Sequence, residues 1–385
     1  MKKGTPETIY LDSHASTRVD QAVLKSMLPY FTQHYANGNH KAGWKSNTAV
    51  EEARFQVASF IGARPSEVIF TSGATESVNL GILGFADERP TKRNQIITQQ
   101  TEHSAVLACM KVLQQSGYQI TFLEVDVDGR IDLEELKEVV SDKTLLVAIM
   151  LANNEIGTVQ PVKAIGEICR KVGAKFFCDL TQVLGWHRVD VDEMNIDLAA
   201  FSAHKVYGPR GVGGLFVRRK GAKIKLRPLL VGGGQENGLR SGTLNVPGIV
   251  GLGKAIERLT EHGATDFQYI QMLRDRLQEQ LFAAIKGIKL NGCPPTHRHP
   301  ANLNIAIPKI SGEQLIGALP NIIFSTGSAC TSASVKPSHV LTALGAEDWV
   351  LKNALRFGIS KYNTIEEIDF VTDQIIQKAG QCIHI

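Results

Sequence analysis

The chain has 385 residues, enough for two domains and a large core, and its 42 lysines and arginines against 38 aspartates and glutamates give a formal net charge of +4. That balance is too even to indicate a nucleic-acid partner, and no apolar run approaches the roughly 18 residues of a membrane span. The 6 cysteines are scattered with no C-x-x-C pair, and Met1-Lys2-Lys3 has no apolar stretch behind it, so neither a zinc site, a disulfide framework nor a signal peptide is indicated; the chain reads as cytoplasmic, with reduced thiols.

Along the chain, Thr48-Ala49-Val50-Glu51 has the form of a capping box and predicts a helix start. Apolar runs follow at Val68–Phe70, Gln95–Thr98, Gln119–Leu123, Leu145–Met150, Lys175–Asp179 and Gly213–Val217. Helix-like stretches separate them, one opening at Asp132-Leu133-Glu134-Glu135. Continuous apolar runs suit a parallel sheet covered on both faces, so the pattern predicts an α/β fold with ligand groups at the carboxyl ends of the strands. After Pro247 the pattern changes to helical stretches at Gly248–Thr260 and Phe267–Lys286 and an alternating strand over Ala301–Ile307, which fits a smaller α+β domain.

Several strand ends carry chemistry. Thr71-Ser72-Gly73-Ala74-Thr75-Glu76-Ser77 leaves a strand and enters a helix, where backbone amides and hydroxyls make an anion site; Ser/Thr/Gly junctions are also common without one. His103 lies just past the Gln95–Thr98 strand, where an imidazole could stack on a ring and shuttle protons, although single histidines are more often structural. Asn153-Asn154-Glu155-Ile156-Gly157 follows the Leu145–Met150 strand and could reach a ligand. Asp179 closes a buried-looking strand, either as a partner for a cationic ring nitrogen or as a helix cap, with Gln182 three residues on.

The most informative run is Phe201-Ser202-Ala203-His204-Lys205-Val206-Tyr207-Gly208-Pro209. A lysine at the end of a buried strand is poised to attack a carbonyl, and Ser202 and His204 beside it could hold a phosphate. Together these suggest a Schiff-base lysine for pyridoxal 5'-phosphate; a surface lysine at a strand end is the commoner arrangement, and the other strand-end groups decide between the two. Arg240-Ser241-Gly242-Thr243 supplies a second hydroxyl-rich loop. Arg218–Arg227 is strongly basic and reads as a solvated loop or as a dock for an acidic partner. His297-Arg298-His299 has no third ligand in reach and reads as a loop, so no metal is expected. Ser325 to Ser334 is built of small residues around Cys330, which predicts a mobile arm presenting that thiol, the alternative being a tight turn with a buried cysteine; the other cysteines read as structural.

Taken in order, Thr71–Ser77, Ala152–Gly157, Asp179-Leu180-Thr181-Gln182, Ser202–Pro209, Gly238–Thr243 and Ser328-Ala329-Cys330-Thr331-Ser332 resemble the cysteine desulfurases of the class-V aminotransferase family, and the long cysteine loop resembles their group I. The likeness runs from about Ile9 to Asp369. It implies PLP fold type I, with a large domain over 16–258 whose mainly parallel sheet is flanked by helices. A small α+β domain would comprise 1–15 and 259–385 and carry the cysteine loop at about 325–336. It further implies a homodimer that converts L-cysteine to L-alanine with a persulfide on Cys330, passed to an acceptor such as an iron–sulfur scaffold or a thiolation pathway.

Position by position, the resemblance makes Lys205 the cofactor-bearing lysine, Asp179 and Gln182 the ring partners and His103 the stacking group. Ala74, Thr75, Ser202 and His204 become the phosphate cup, completed by Thr243 of a second subunit. Asn154 and Arg356 would hold the substrate carboxylate. Three stretches depart from the family pattern: Asp12-Ser13-His14-Ala15-Ser16-Thr17 for Asp-x-x-Ala-Thr-Thr, Ala36-Asn37-Gly38-Asn39-His40 without its proline, and Arg356-Phe357-Gly358-Ile359-Ser360-Lys361. A selenocysteine lyase would need the same residues, whereas a lyase or aminotransferase without persulfide chemistry would have no use for Cys330.

Overall fold

A computed structural model describes residues 8–36, 40–87, 93–221, 224–326 and 337–383. In chain order its strands are β1 (Ile9–Tyr10), β2 (Val68–Thr71), β3 (Gln95–Gln99), β4 (Gln119–Leu123), β5 (Thr144–Ala148), β6 (Lys175–Asp179), β7 (Leu198–Ser202) and β8 (Gly213–Val217). They continue with β9 (Lys289–Leu290), β10 (Asn302–Ala306), β11 (Ile322–Ile323) and β12 (Ala354–Gly358). Seven of them form one sheet in the order β2-β8-β7-β6-β5-β3-β4. The sequence alternation sorts its side chains onto two faces. Phe70, Ile97, Val147, Phe176, Phe201 and Phe216 pack with helices Trp44–Phe60, Val162–Val172 and the first half of Val246–Ala284. Ile69, Ile96, Leu146, Phe177, Ala200 and Leu215 pack with helices Ala74–Asp87 and Ser104–Gln115. The fold is therefore α/β with a mostly parallel sheet between helical layers.

Gly213–Val217 departs from the parallel expectation. β8 runs antiparallel to both neighbours, β2 and β7. The short link from Ser202 to Gly213 leaves no room for the crossover that a parallel pairing needs. Its consequence is useful: β2 and β7 point the same way, and Thr71 and Ser202 both pair with Gly213.

A second core gathers Ile9, Leu11, Leu273, Leu277, Leu281, Leu303, Ile305, Leu355, Phe357, Ile368 and Val371 around the small sheet β12-β10-β9. The helix Val246–Ala284 reaches both cores. It also corrects the expectation of two helices at Gly248–Thr260 and Phe267–Lys286. Gly263 lies between the two, and a Cβ there would lie 2.9 Å from the Gly185 carbonyl, so the glycine serves a close crossing inside an unbroken helix. The capping box at Thr48 is likewise corrected, because the helix already starts at Trp44 and Ser46 Oγ donates to the His34 carbonyl at 2.7 Å. The alternation of Ala301–Ile307 survives in β10, yet its polar face is buried: Asn302 and Asn304 both donate to the Glu155 carbonyl at 3.0 Å.

The basic stretch is not simply a solvated loop. Arg218 is 7% exposed and paired with Asp192, while Lys220 and Arg227 pair with Asp192 and Asp87. Among the described residues, no helix is long and apolar enough to cross a membrane, and no group of three His, Cys, Asp or Glu side chains could hold a metal ion.

Candidate active site

The carboxyl ends of β2, β6 and β7 open into one cavity of about 550 Å³. One corner of it is set by register. Gly213 starts β8 between Thr71 and Ser202, and a Cβ on it would stand 2.5 Å from the Phe201 carbonyl and 2.8 Å from Gly73 Cα. Only glycine lets the turn after β2 close onto the end of β7. That turn delivers Ala74 and Thr75 at the start of helix Ala74–Asp87, whose first amides have no acceptor within the helix. Ser202 is 2% exposed, and His204 and Lys205 follow on a single 3-10 turn, Ala203–Lys205.

Lys205 Nζ donates to the carbonyls of His14 and Ala15, the second at 2.9 Å. His204 Nδ1 lies 3.3 Å from Ser16 Oγ, and burial, with Lys205 and Arg210 nearby, pushes its pKa down to about 4. It is therefore a neutral hydrogen-bonding group at neutral pH. Asp179 ends β6 at 6% exposure, with Oδ1 accepting from the Thr181 amide at 2.8 Å. That contact closes a turn, and no helix starts between β6 and β7, so the helix-cap reading of Asp179 does not hold. Gln182 is held by His14, accepting from or opposing Nδ1 at 3.2 Å and donating to the His14 carbonyl at 3.1 Å.

His103 caps helix Ser104–Gln115, its Nδ1 accepting from the Ala105 amide at 3.2 Å. The proton of the neutral ring is then on Nε2. Its neighbour Glu102 is buried, and that burial holds its carboxyl well above the usual range, with the Asp179 charge adding to the effect. Asn153 is structural, accepting from the Glu155 and Ile156 amides at 2.8 and 3.0 Å, while Asn154 lines the cavity.

Arg356, on β12 beside the second core, reaches the cavity at 2% exposure. Nη2 donates to Asp12 Oδ1 at 2.8 Å and Nη1 to the Asn154 carbonyl at 3.2 Å. Ser325 Oγ donates to Asp12 Oδ2 at 2.7 Å, and the Ser325 and Arg356 backbones bond to each other. Beyond the segment that carries Cys330, Ser338 Oγ donates to Glu155 and His339 Nε2 meets the Glu102 carbonyl at 3.0 Å. Both flanks of that segment are thus bonded to residues next to the cavity lining, Ser325 to Arg356 and His339 to the residue before His103.

The structure brings together Lys205, His103, Ala74, Thr75 and Asn154, along with Asp179, Gln182, Ser202, His204 and Arg356, all of which line the cavity. Thr243 does not line it and is exposed. Cys330 lies outside the described residues, as do Asn37-Gly38-Asn39 and all of the expected arm but Ser325 and Thr326. Sequence reasoning missed Asp12, His14, Ser16, Glu76, Arg210 and Ser325. The departure at Asp12–Thr17 was the one signal pointing to the first three.

These residues fit pyridoxal phosphate. A Cβ on Gly73 would have only Ser202 Oγ nearby, at 3.8 Å, so the glycine leaves the anion corner open. That corner is lined by hydroxyl, imidazole and amide donors, a buried carboxylate stands elsewhere on the wall, and a lysine joins them. His297–His299 offers no alternative cofactor: Arg298 is buried and bonded to the Cys293, Ile156 and Asn291 carbonyls, and His299 stacks edge-on against His14 at 4.7 Å.

The family model described as aminotransferase class-V matches residues 9–371. The chain is 49% identical to a mitosomal cysteine desulfurase of Trachipleistophora hominis, over 96% of this chain and 86% of that protein. It is 45% identical to the cysteine desulfurase IscS of Anaeromyxobacter sp. (strain Fw109-5), over 96% and 92%. Among solved structures, a NifS-like protein superposes with a TM-score of 0.90 at 37% identity, covering 97% of this chain and 99% of that one. The structure described as SspA in complex with cysteine superposes with a TM-score of 0.82 at 34% identity, covering 93% and 100%.

Proposed function

The chain belongs to the class-V aminotransferase family, and we infer that it is a pyridoxal phosphate-dependent cysteine desulfurase, converting L-cysteine to L-alanine with a persulfide on Cys330. The observation that carries this reading is the convergence of Lys205, Asp179, Ser202, His204 and Arg356 on one cavity. Bound there, pyridoxal phosphate supplies a conjugated pyridinium that takes up electrons released at the substrate Cα.

The protein's own groups then have distinct tasks. Ala74, Thr75, Ser202 and His204 would hold the phosphate, Asp179 would keep the ring nitrogen cationic, and Gln182 and His103 would hold the ring. Arg356 and Asn154 fix the substrate carboxylate, which sets the Cα–H bond toward Lys205. Lys205 Nζ removes that proton and returns one at the end of turnover. The Cys330 thiolate attacks the substrate sulfur; an S–S bond forms, the Cβ–S bond breaks, and its electron pair is protonated on the carbon. L-Cysteine and the thiol thus give L-alanine and the persulfide with no external oxidant. Five residues separate Cys330 from Ser325, a reach of up to about 17 Å, so the thiol can arrive at the cavity.

A homodimer accounts for Thr243. It sits exposed two residues after Ser241, whose amide donates to the Leu230 carbonyl at 3.2 Å, and Leu230 and Val231 are 48% and 83% exposed, so this loop is suited to reach a second subunit's cup. The persulfide goes to a sulfur acceptor protein, such as an iron–sulfur scaffold, in a reducing cytoplasmic compartment. Cys109, Cys169, Cys178 and Cys293 are buried free thiols, and burial pushes the first two up to about 12, which leaves them poor rivals to Cys330.

The test is the intact mass of the protein after L-cysteine without reductant, with peptide mapping. Added sulfur on Cys330 with alanine released supports the reading. Sulfide or keto acid with no added sulfur would make it a lyase or aminotransferase.

A further inference from the structure

We propose that Glu76 and Arg240 are a positioning pair for the phosphate end of the cofactor site, in which Arg240 neutralises and turns aside a carboxylate that would otherwise face the phosphate. The proposal rests on the pyridoxal phosphate reading above.

Glu76 lines the same cavity as Ala74, Thr75, Ser202 and His204. It stands in the first turn of helix Ala74–Asp87, where the helix dipole favours a negative charge. The same position is the wrong one for a carboxylate next to an anion site, because like charges in a partly desolvated corner repel strongly. Both of its oxygens are engaged. Oε1 accepts from Arg240 Nε at 2.9 Å, and Oε2 accepts from the Ser72 amide at 2.7 Å. The two side chains are only 20% and 15% exposed, so solvent screens the pair poorly. Arg240 thus cancels the charge, and the Ser72 contact fixes where the carboxylate points.

Arg240 is itself delivered by a loop that is fastened a second time. Glu236, 7% exposed, accepts from Arg54 Nη1 and Nη2 at 2.8 Å each and from the Phe70 amide at 2.7 Å. Arg54 Nη1 also donates to the Val68 carbonyl at 2.8 Å. Glu236 and Asn237 hold φ of 49° and 57°, an uncommon backbone region for residues other than glycine. The loop accepts this conformation where the buried Glu236–Arg54 pair anchors it. One end of the loop therefore grips the body of β2, and Arg240 grips the turn that leaves it. Thr243 follows three residues later on the same loop, so the cup and the segment carrying Thr243 are joined through these two ion pairs.

The experiment compares apoprotein binding of pyridoxal phosphate and of pyridoxal, which lacks the phosphate, by absorbance titration. Arg240→Gln should weaken pyridoxal phosphate at least about tenfold, about 1.4 kcal/mol, and leave pyridoxal within threefold of the parent. Adding Glu76→Gln to that variant should restore pyridoxal phosphate to within threefold, and Glu76→Gln alone should bind it at least as tightly as the parent. Equal loss of both ligands in Arg240→Gln, failure of the double variant to restore binding, or selective loss in Glu76→Gln alone would each overturn the proposal. The last arm decides the matter even where Arg240→Gln does not fold. A parent chain that takes up no pyridoxal phosphate overturns the functional reading and this inference together. A parent that binds it, with variants that break the pattern, overturns the inference alone.

Discussion

The two ends of the cavity are built in opposite ways. The end proposed for the phosphate comes from strand ends paired in one sheet, with Thr71 and Ser202 placed on either side of Gly213 by β2-β8-β7 register. The end proposed for the substrate carboxylate is a knot of distant segments, in which Arg356 meets Asp12, Asn154 and Ser325 through side-chain bonds. Sheet register sets the first end, and the Glu76–Arg240 and Glu236–Arg54 pairs brace it from outside the strands. The second depends on a buried ion pair whose partners are 3% and 10% exposed, and such a pair is costly to break on one side.

Lys205 stands between the two ends, and its loss should have the largest effect. Lys205→Ala removes the proton-transfer group while both ends stay assembled. Alanine formation from L-cysteine should fall by about 10²–10⁴-fold, with thermal unfolding little changed. Residual turnover within tenfold of the parent would assign the base elsewhere.

The next pair of variants separates the ends. Arg356→Gln leaves Asp12 buried without its cation and should cost about 3–5 kcal/mol of unfolding free energy. It should also raise KM for L-cysteine far more than it lowers kcat, with cofactor retention intact. Gly213→Ala puts a Cβ 2.8 Å from Gly73 Cα and forces the cup open, at about 1–3 kcal/mol. It should lose cofactor on dialysis while the holoenzyme fraction keeps its KM. If both variants lose cofactor and substrate to the same extent, the ends are not independent.

The same contrast explains what was legible in the sequence. Asp179, Ser202 and Lys205 sit at the ends of apolar runs, so the strand that places each one is written beside it. Asp12 and Ser325 gain their role only when β12 brings Arg356 between them, and the departure at Asp12–Thr17 marks the segment but not the partner. Glu76 was inside a quoted motif yet unread, because its partner Arg240 lies on a loop far along the chain. The continuity of helix Val246–Ala284 through residues 261–266 is likewise set at a distance, where Gly263 crosses closely over Gly185.

Acid should act on the boundary between the two ends, where His14 packs against Gln182 and His299. Burial, and next the Arg356 charge, push His14 down from an ordinary 6.5 to about 3. Below pH 6.5 the unfolded chain binds a proton that the folded chain refuses. Stability contributed by the neutral ring is therefore complete above that pH and drains as pH falls toward about 3, by up to about 1.4 kcal/mol per pH unit. Urea unfolding at pH 7, 6 and 5 should show the decline, and His14→Asn should flatten it by one proton. An unchanged slope would mean that His14 titrates normally.

The smallest effect is expected far from the cavity, where burial again decides what a charge is worth. Arg218 and Lys220 share Asp192, but their side chains are 8% and 63% exposed. Arg218 also donates to the Ile196 and Val191 carbonyls, so Asp192 keeps a well-ordered cation when Lys220 is removed. Lys220→Ala should therefore change unfolding free energy by only about 0.2–1 kcal/mol at low salt, and the difference should shrink at high ionic strength. A loss near that of Arg356→Gln would mean that exposure does not set the worth of these pairs, and the contrast between the two ends of the cavity would lose its physical basis.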